Sequence, residues 1–380
     1  MPTDPTAAAA TPKAGTLDEP RVRRILRFVI AVTLATAYSC YVNWSFSFLL
    51  VALIIALMTL PTPAPSLRFA VWTVAKLMGF IVLGLALMVP LHSHQIFGFA
   101  LLALILFVYF HLQAEGRVAG LNATFLIIGA TLVPAFGADS MDGGVEFAKG
   151  LAQSALALFP IIWIAFAVLP EGVFPRLPNA PRIEGTSVDR AVIALRPVVV
   201  LMPLLVYMFS SENAIRYLIG YYQAAMIGQH SNRATAKALA IDLMLATVIG
   251  STAGLILWWT MKLWPSLLWF ILTMALVSVF FATRVFSSGP RGVSPHVVRW
   301  SYGLSTLVFI VFPDALTQGF TGDDPTMKFY QRIVDYLLVT TYSVLGVLVY
   351  DAIVERLAAW HRRSVRSTAV PEGLDAERPR

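Results

Sequence analysis

Lys76 and Asp242 each interrupt a long apolar stretch, and they stand at matching places in the chain. Ser66-Leu-Arg68 precedes Lys76-Leu-Met78, and Ser231-Asn-Arg233 precedes Asp242-Leu-Met244. A charge at the centre of a membrane helix costs at least ~2.5–3.5 kcal/mol on insertion scales, so such residues face a protein interior or a water-filled path. Two kinds of chemistry suit them. Burial raises the pKa of a carboxylate and a nearby cation lowers it, so Asp242 could load and release a proton as its access to water changes. Lys76 could anchor an anion or exchange a proton itself. A static ion pair between the two is the structural alternative.

Other polar positions fall on the same predicted path. Arg68 and Arg233 stand at the inner mouths of the two helices, as anion attractors or as ordinary topology anchors. Arg216, Tyr221, Tyr222 and Gln223 could line a route for aromatic solutes or serve packing alone, and Asp351 is a second candidate proton site. Asp335 lies near the outer end of the same last helix. His111, Glu115 and Arg117 read as a solvated salt-bridge cluster at an inner helix end.

Enzyme signatures are missing. There is no Walker-type phosphate loop. His92-Ser-His94 has no evident third ligand. Asp323-Asp324 lies in a predicted outer loop without a matching acidic motif, and the single cysteine, Cys40, reads as a small buried apolar residue. The chain is therefore expected to be neither an enzyme nor a cofactor or metal protein.

These residues need long apolar elements to position them, and composition supplies these. Of 380 residues 58% are hydrophobic and 13% charged, with a mean hydropathy of +0.73. Runs of about 20 residues suit helices that cross a ~30 Å hydrocarbon core. The pattern predicts an all-α integral membrane protein with about twelve transmembrane helices, near 25–42, 45–61, 70–90, 96–112, 120–136, 147–169, 191–209, 214–229, 235–257, 263–285, 300–313 and 332–358. With the N-terminus inside, all but six of the 28 Lys and Arg fall on the cytoplasmic side; the six are Lys76, Lys149, Arg216, Lys262, Lys328 and Arg332. Both termini are then cytoplasmic. Asp139, Asp142, Glu146, Asp314, Asp323 and Asp324 gather in outer loops. The net charge of +7 is thus a topology signal and not a nucleic-acid footprint. The first twenty residues lack a signal peptide's apolar core, so the first span is expected to be retained.

The layout repeats. Val133-Pro134 ends the fifth span as Phe312-Pro313 ends the eleventh, and Phe147-Ala-Lys-Gly-Leu opens the sixth as Phe329-Tyr-Gln-Arg-Ile opens the twelfth. The expected organisation is a disordered tail (1–20), a first repeat (21–169), a cytoplasmic linker (170–190), a second repeat (191–360) and a cytoplasmic tail (361–380). Six helices per unit make the repeats parallel, with a substrate site expected near the midplane at their interface. Lys76 and Asp242 then lie ~12–14 Å below the cytoplasmic boundary on counterpart helices. Gly250-Ser-Thr-Ala-Gly254 and Gly79 with Gly84 permit close packing there.

A duplicated unit with an Arg at its start (Arg24 or Arg27, and Arg190), an aromatic-rich second span, Ser-x-Arg and a Gly-dotted third span resembles the fusaric-acid-resistance and aromatic-acid-exporter family of bacterial inner-membrane proteins, over roughly residues 20–360. The resemblance implies proton-driven efflux of small anionic or aromatic compounds, with a periplasmic membrane-fusion adaptor and an outer-membrane channel as partners and with homo-oligomers possible. Plant malate channels look like distant relatives, which implies a passive organic-anion channel as the alternative; a non-transporting scaffold is a third. The chain departs from the larger exporters in lacking their soluble domains, and Lys76-Leu-Met and Asp242-Leu-Met replace the Gly-Thr of their third helix.

Overall fold

The structure, a computed structural model, describes residues 19–60, 63–118, 120–138, 140–170, 187–210, 220–221, 223–226, 233–287, 292–317 and 326–368. Its helices are α1 (Glu19–Val42), α2 (Phe48–Met58), α3 (Leu67–Ser93), α4 (Gln95–Ala114), α5 (Gly120–Leu126), α6 (Val133–Phe136), α7 (Met141–Val168), α8 (Ser187–Phe209), α9 (Arg233–Leu263), α10 (Leu267–Val285), α11 (Val297–Thr317) and α12 (Thr326–Thr368). A π-helical segment, Ile127–Leu132, joins α5 to α6. Tyr221 and Gln223–Met226 are also helical. No strand occurs among the described residues.

Eight of these helices are long and apolar enough to cross a membrane: α1, α3, α4, α7, α8, α9, α10 and α12. By length and composition this is a multi-pass membrane protein. Three of the twelve expected spans are shorter apolar helices, Phe48–Met58, Asn122–Phe136 and Val297–Pro313. The expected eighth span, 214–229, lies largely outside the described residues. At 1.5 Å per residue the 11-residue α2 reaches only ~16 Å, about half the hydrocarbon core. It is instead enclosed, with eight of its residues buried.

Local signals set the boundaries. Ser66, Ser140 and Ser266 each accept a bond from the backbone N–H three residues on, at 3.2 Å, and so start α3, α7 and α10. The prolines expected to end two spans do not, because α6 runs on to Phe136 and α11 to Thr317. Pro134 stands in the first turn of α6, where its missing N–H is not needed, whereas Pro313 lies inside α11 and costs it one backbone bond. The last helix also outruns its prediction. Residues 361–368, expected as tail, continue α12, whose 43 residues span ~65 Å.

With lipid as the surrounding solvent, helices associate through close packing and polar contacts more than through apolar burial. α3 packs on α4, on the π segment and on α7; α9 packs on α10, α11 and α12. α1 packs on α7, and α8 on α12. Between the halves α1 meets α10, α4 meets α8, and α2 meets α11. A Cβ on Gly84 would run into the carbonyl of Gly129, and one on Gly250 into that of Gly303. Arginines seal helix ends: Arg21 donates to the carbonyls of Phe286 (3.0 Å) and Thr283 (2.9 Å) at the end of α10. The α10–α11 turn closes through Gly292 at φ +68°, where a side chain would collide with the Arg24 guanidinium.

A central cavity and its polar surroundings

The fold does not bring Lys76 and Asp242 together. The packed face of α3 is Ala70, Thr73, Leu77, Ile81, Gly84, Leu87, Met88 and Leu91. Lys76 falls off that stripe, on an exposed face with Trp72, Ala75, Gly79 and Val82, and a Cβ on Gly79 would meet nothing within 4 Å. The ammonium therefore lies outside the helix bundle. Asp242 is paired elsewhere: its Oδ1 accepts from Arg299 Nη2 (2.6 Å) and Nε (3.0 Å) and lies 3.4 Å from His296 Nδ1. Arg299 is in the first turn of α11 and His296 precedes it. This places Asp242 near the end of the bundle, not at its midplane.

Arg68 is exposed at the start of α3. Arg233 opens α9, but its side chain lies outside the described residues, as do Arg216 and Tyr222. Tyr221 is fully enclosed, with its hydroxyl beside Thr131 of the π segment. Gln223 lines no path. Its amide donates to Thr247 Oγ1 (3.1 Å) and accepts from Thr340 (2.7 Å), tying this stretch to α9 and α12 inside the protein.

Asp351 carries the buried acidic chemistry. It pairs with Arg196 of α8, each side chain about 8% exposed, while its Oδ2 has no hydrogen-bond partner among the described residues. Arg27 makes an analogous reach from α1. It is 4% exposed, donates from Nε (3.1 Å) and Nη2 (2.8 Å) to the Leu169 carbonyl, and lies 4.1 Å from the centroid of the Phe166 ring. Sequence reading passed over both roles, because an arginine two turns inside a helix resembles a topology anchor.

A cavity of about 530 Å³ lies between the halves, and neither α3 nor α9 is among its described lining. Its walls come from α2, α5, the π segment and α11, with Met226 contributing. They are mostly apolar, and none of the described lining residues is charged. Thr59, Gln113, Thr124, Ser301, Tyr302 and Ser305 supply polar groups. Hydroxyls and an amide in an apolar chamber of this size suit a small, partly apolar organic molecule.

One end of the cavity carries Leu60, Gln113, Gly120 and Val293, all at or near helix connections. Phe309 of the lining begins a run of aromatic contacts. Phe309 contacts Phe48 at 5.4 Å between centroids, Phe48 meets Phe46 at 6.1 Å, and Phe46 meets Phe136 (5.2 Å) and Phe147 (5.1 Å), which stack on each other at 4.2 Å. The turn that delivers Phe46 is strained, with Asn43 at φ 47° and Phe46 at φ 64°. A bulky residue there is a true outlier, and such outliers gather where function requires them. The chain matches no family model, no curated protein and no solved structure.

Proposed function

We propose that this protein is a proton-coupled transporter of small, partly apolar organic compounds, weak organic acids among them, and that they pass through the central cavity. The observation that carries the reading is the cavity itself: a chamber with no charge among its described lining residues, walled largely by the shorter apolar helices and set among eight long ones. Transporters commonly build their sites from interrupted helices near the interface between repeats. In this reading the aromatic cluster beyond Phe309 serves as the closed end of the path. A wall without charge among its described residues favours a weak acid in its protonated form, which links solute to proton.

The reading includes a duplicated six-helix unit, with twelve membrane segments in total and both termini cytoplasmic. The packing supports it: third element on fourth, fifth and sixth, and first on sixth, in each half. Across the halves the first and fourth elements exchange partners reciprocally. Two arginines add a residue-level match. Leu26-Arg27-Phe28-Val29 parallels Leu195-Arg196-Pro197-Val198, and the register that sets Phe147 against Phe329 sets Leu169 against Asp351. Arg27 binds Leu169 and Arg196 binds Asp351. In the first half the last helix stops and offers a carbonyl; in the second it continues, and a carboxylate takes that place.

In this reading Asp351 takes the place of Asp242 as the coupling carboxylate, since it is buried, paired with Arg196 and has one oxygen without a hydrogen-bond partner among the described residues. Membership of the fusaric-acid-resistance and aromatic-acid-exporter group, residence in a bacterial inner membrane and partnership with a periplasmic adaptor belong to the same proposal, resting on the sequence resemblance. The test is uptake of labelled benzoate into inverted vesicles. Accumulation against its gradient only when a proton gradient is imposed supports the exporter. Flux that merely follows the benzoate gradient would make the protein a channel and refute coupling.

A further inference from the structure

A second cavity, of about 390 Å³, lies beside the first at the end where α1 and α3 begin. Leu57 and Leu60 border both cavities, so only the last turn of α2 and the residues after it part them. Its lining includes two cations in an otherwise mainly apolar set. Arg24 and Arg27 are three residues apart on α1 and so lie on one helix face. They are five and eight residues along the helix from Glu19, ~8–12 Å from its start. Phe166 lies under the Arg27 guanidinium, and Phe69, Phe159 and Met58 add apolar wall. The site is held in shape: Arg27 is fixed by the Leu169 carbonyl, and the Pro63–Pro65 wall by Trp163, whose indole donates to the Pro65 carbonyl at 2.8 Å.

Guanidinium groups at one edge of an apolar pocket match a ligand with an anionic head and an apolar body. We infer that this pocket binds an acidic amphiphile, its carboxylate or phosphate at Arg24 and Arg27 and its hydrocarbon against Phe69 and Phe159. Given the transport reading above, the pocket is where such a molecule loads before passing Leu57 and Leu60 into the uncharged chamber. The head chemistry is shared by a free carboxylic acid and an acidic phospholipid, and the pocket's position at the membrane boundary admits both.

The test is binding to the purified full-length protein in a neutral detergent, followed by native mass spectrometry and calorimetry. Decanoate is compared with decanol, which has the same chain without the charge, and phosphatidylglycerol with phosphatidylcholine. Arg24→Gln is expected to weaken decanoate or phosphatidylglycerol binding about tenfold, whereas Arg23→Gln, at an exposed position one residue away, leaves it unchanged. Phe69→Ala, at a half-exposed site that tolerates truncation, weakens binding without removing charge. Preference for decanoate marks a free acid as the occupant, and preference for phosphatidylglycerol marks a lipid; either supports the site. Equal binding of charged and uncharged probes, or equal effects of Arg24→Gln and Arg23→Gln, would overturn it. Because binding is read without transport, a chain that binds decanoate but moves no benzoate would count against the transport reading and leave the pocket standing.

Discussion

Two arginines account for the buried cationic contacts that most plainly tie helices of this molecule together. Arg27 serves a carbonyl and an aromatic face, and Arg196 serves a carboxylate. Breaking one partner of a buried ion pair costs about 3–5 kcal/mol, whereas replacing both with apolar groups is often neutral. Asp351→Asn or Arg196→Met is therefore expected to lower the thermal midpoint strongly, and the double variant Arg196→Met/Asp351→Leu to recover most of it. That double variant should also retain downhill benzoate flux and lose proton-driven accumulation; accumulation at the wild-type level would remove Asp351 from coupling. Lys76→Leu should leave stability and transport intact, since the side chain stands on an exposed face of α3. Lys76 and Asp242 were conspicuous in the sequence because each breaks an apolar run. Their environments were not legible, since the face a helical residue occupies depends on which stripe packs. The partner of Asp351 lies 155 residues away, beyond any local pattern.

Among elements, the short helices separate the path from its support. The run 45–61 reads as a span by hydrophobicity, yet the turn at 43–47 consumes its start and the prolines beyond Leu60 limit its end. What remains is the buried α2. Length of apolar sequence and length of helix thus diverged wherever turn chemistry intruded. The glycines show a similar limit. Gly84 and Gly250 sit at tight crossings, while Gly79 faces open space and a Cβ added to Gly254 would meet Val311 at an ordinary 3.4 Å. Gly84→Leu and Gly250→Leu should each lose the monodisperse fraction on purification. Gly79→Ala should be neutral or stabilising by up to ~1 kcal/mol, the intrinsic helix preference of alanine, as read by thermal unfolding in detergent.

At the scale of the whole molecule, long helices pack with shorter ones around a chamber whose described lining carries no charge, with an arginine-bearing pocket beside it and an aromatic cluster beyond Phe309. Helical class and membrane habit were plain from composition. The location of the chamber was not, because it arises from contacts between helices of different halves. Phe46→Ala removes the ring that joins Phe48 to the Phe136–Phe147 stack and relieves little of the surrounding packing. It should raise downhill leak of benzoate severalfold in vesicles, and an unchanged leak would deny the cluster a closing role. The most direct test of the path places a cysteine at Ser305, in a chain whose one native thiol is removed by Cys40→Ala. In inverted vesicles, a membrane-impermeant thiol reagent is predicted to modify Ser305→Cys, abolish benzoate uptake, and react more slowly when benzoate is present. Modification of that cysteine with uptake undiminished would mean that solute does not pass through the cavity.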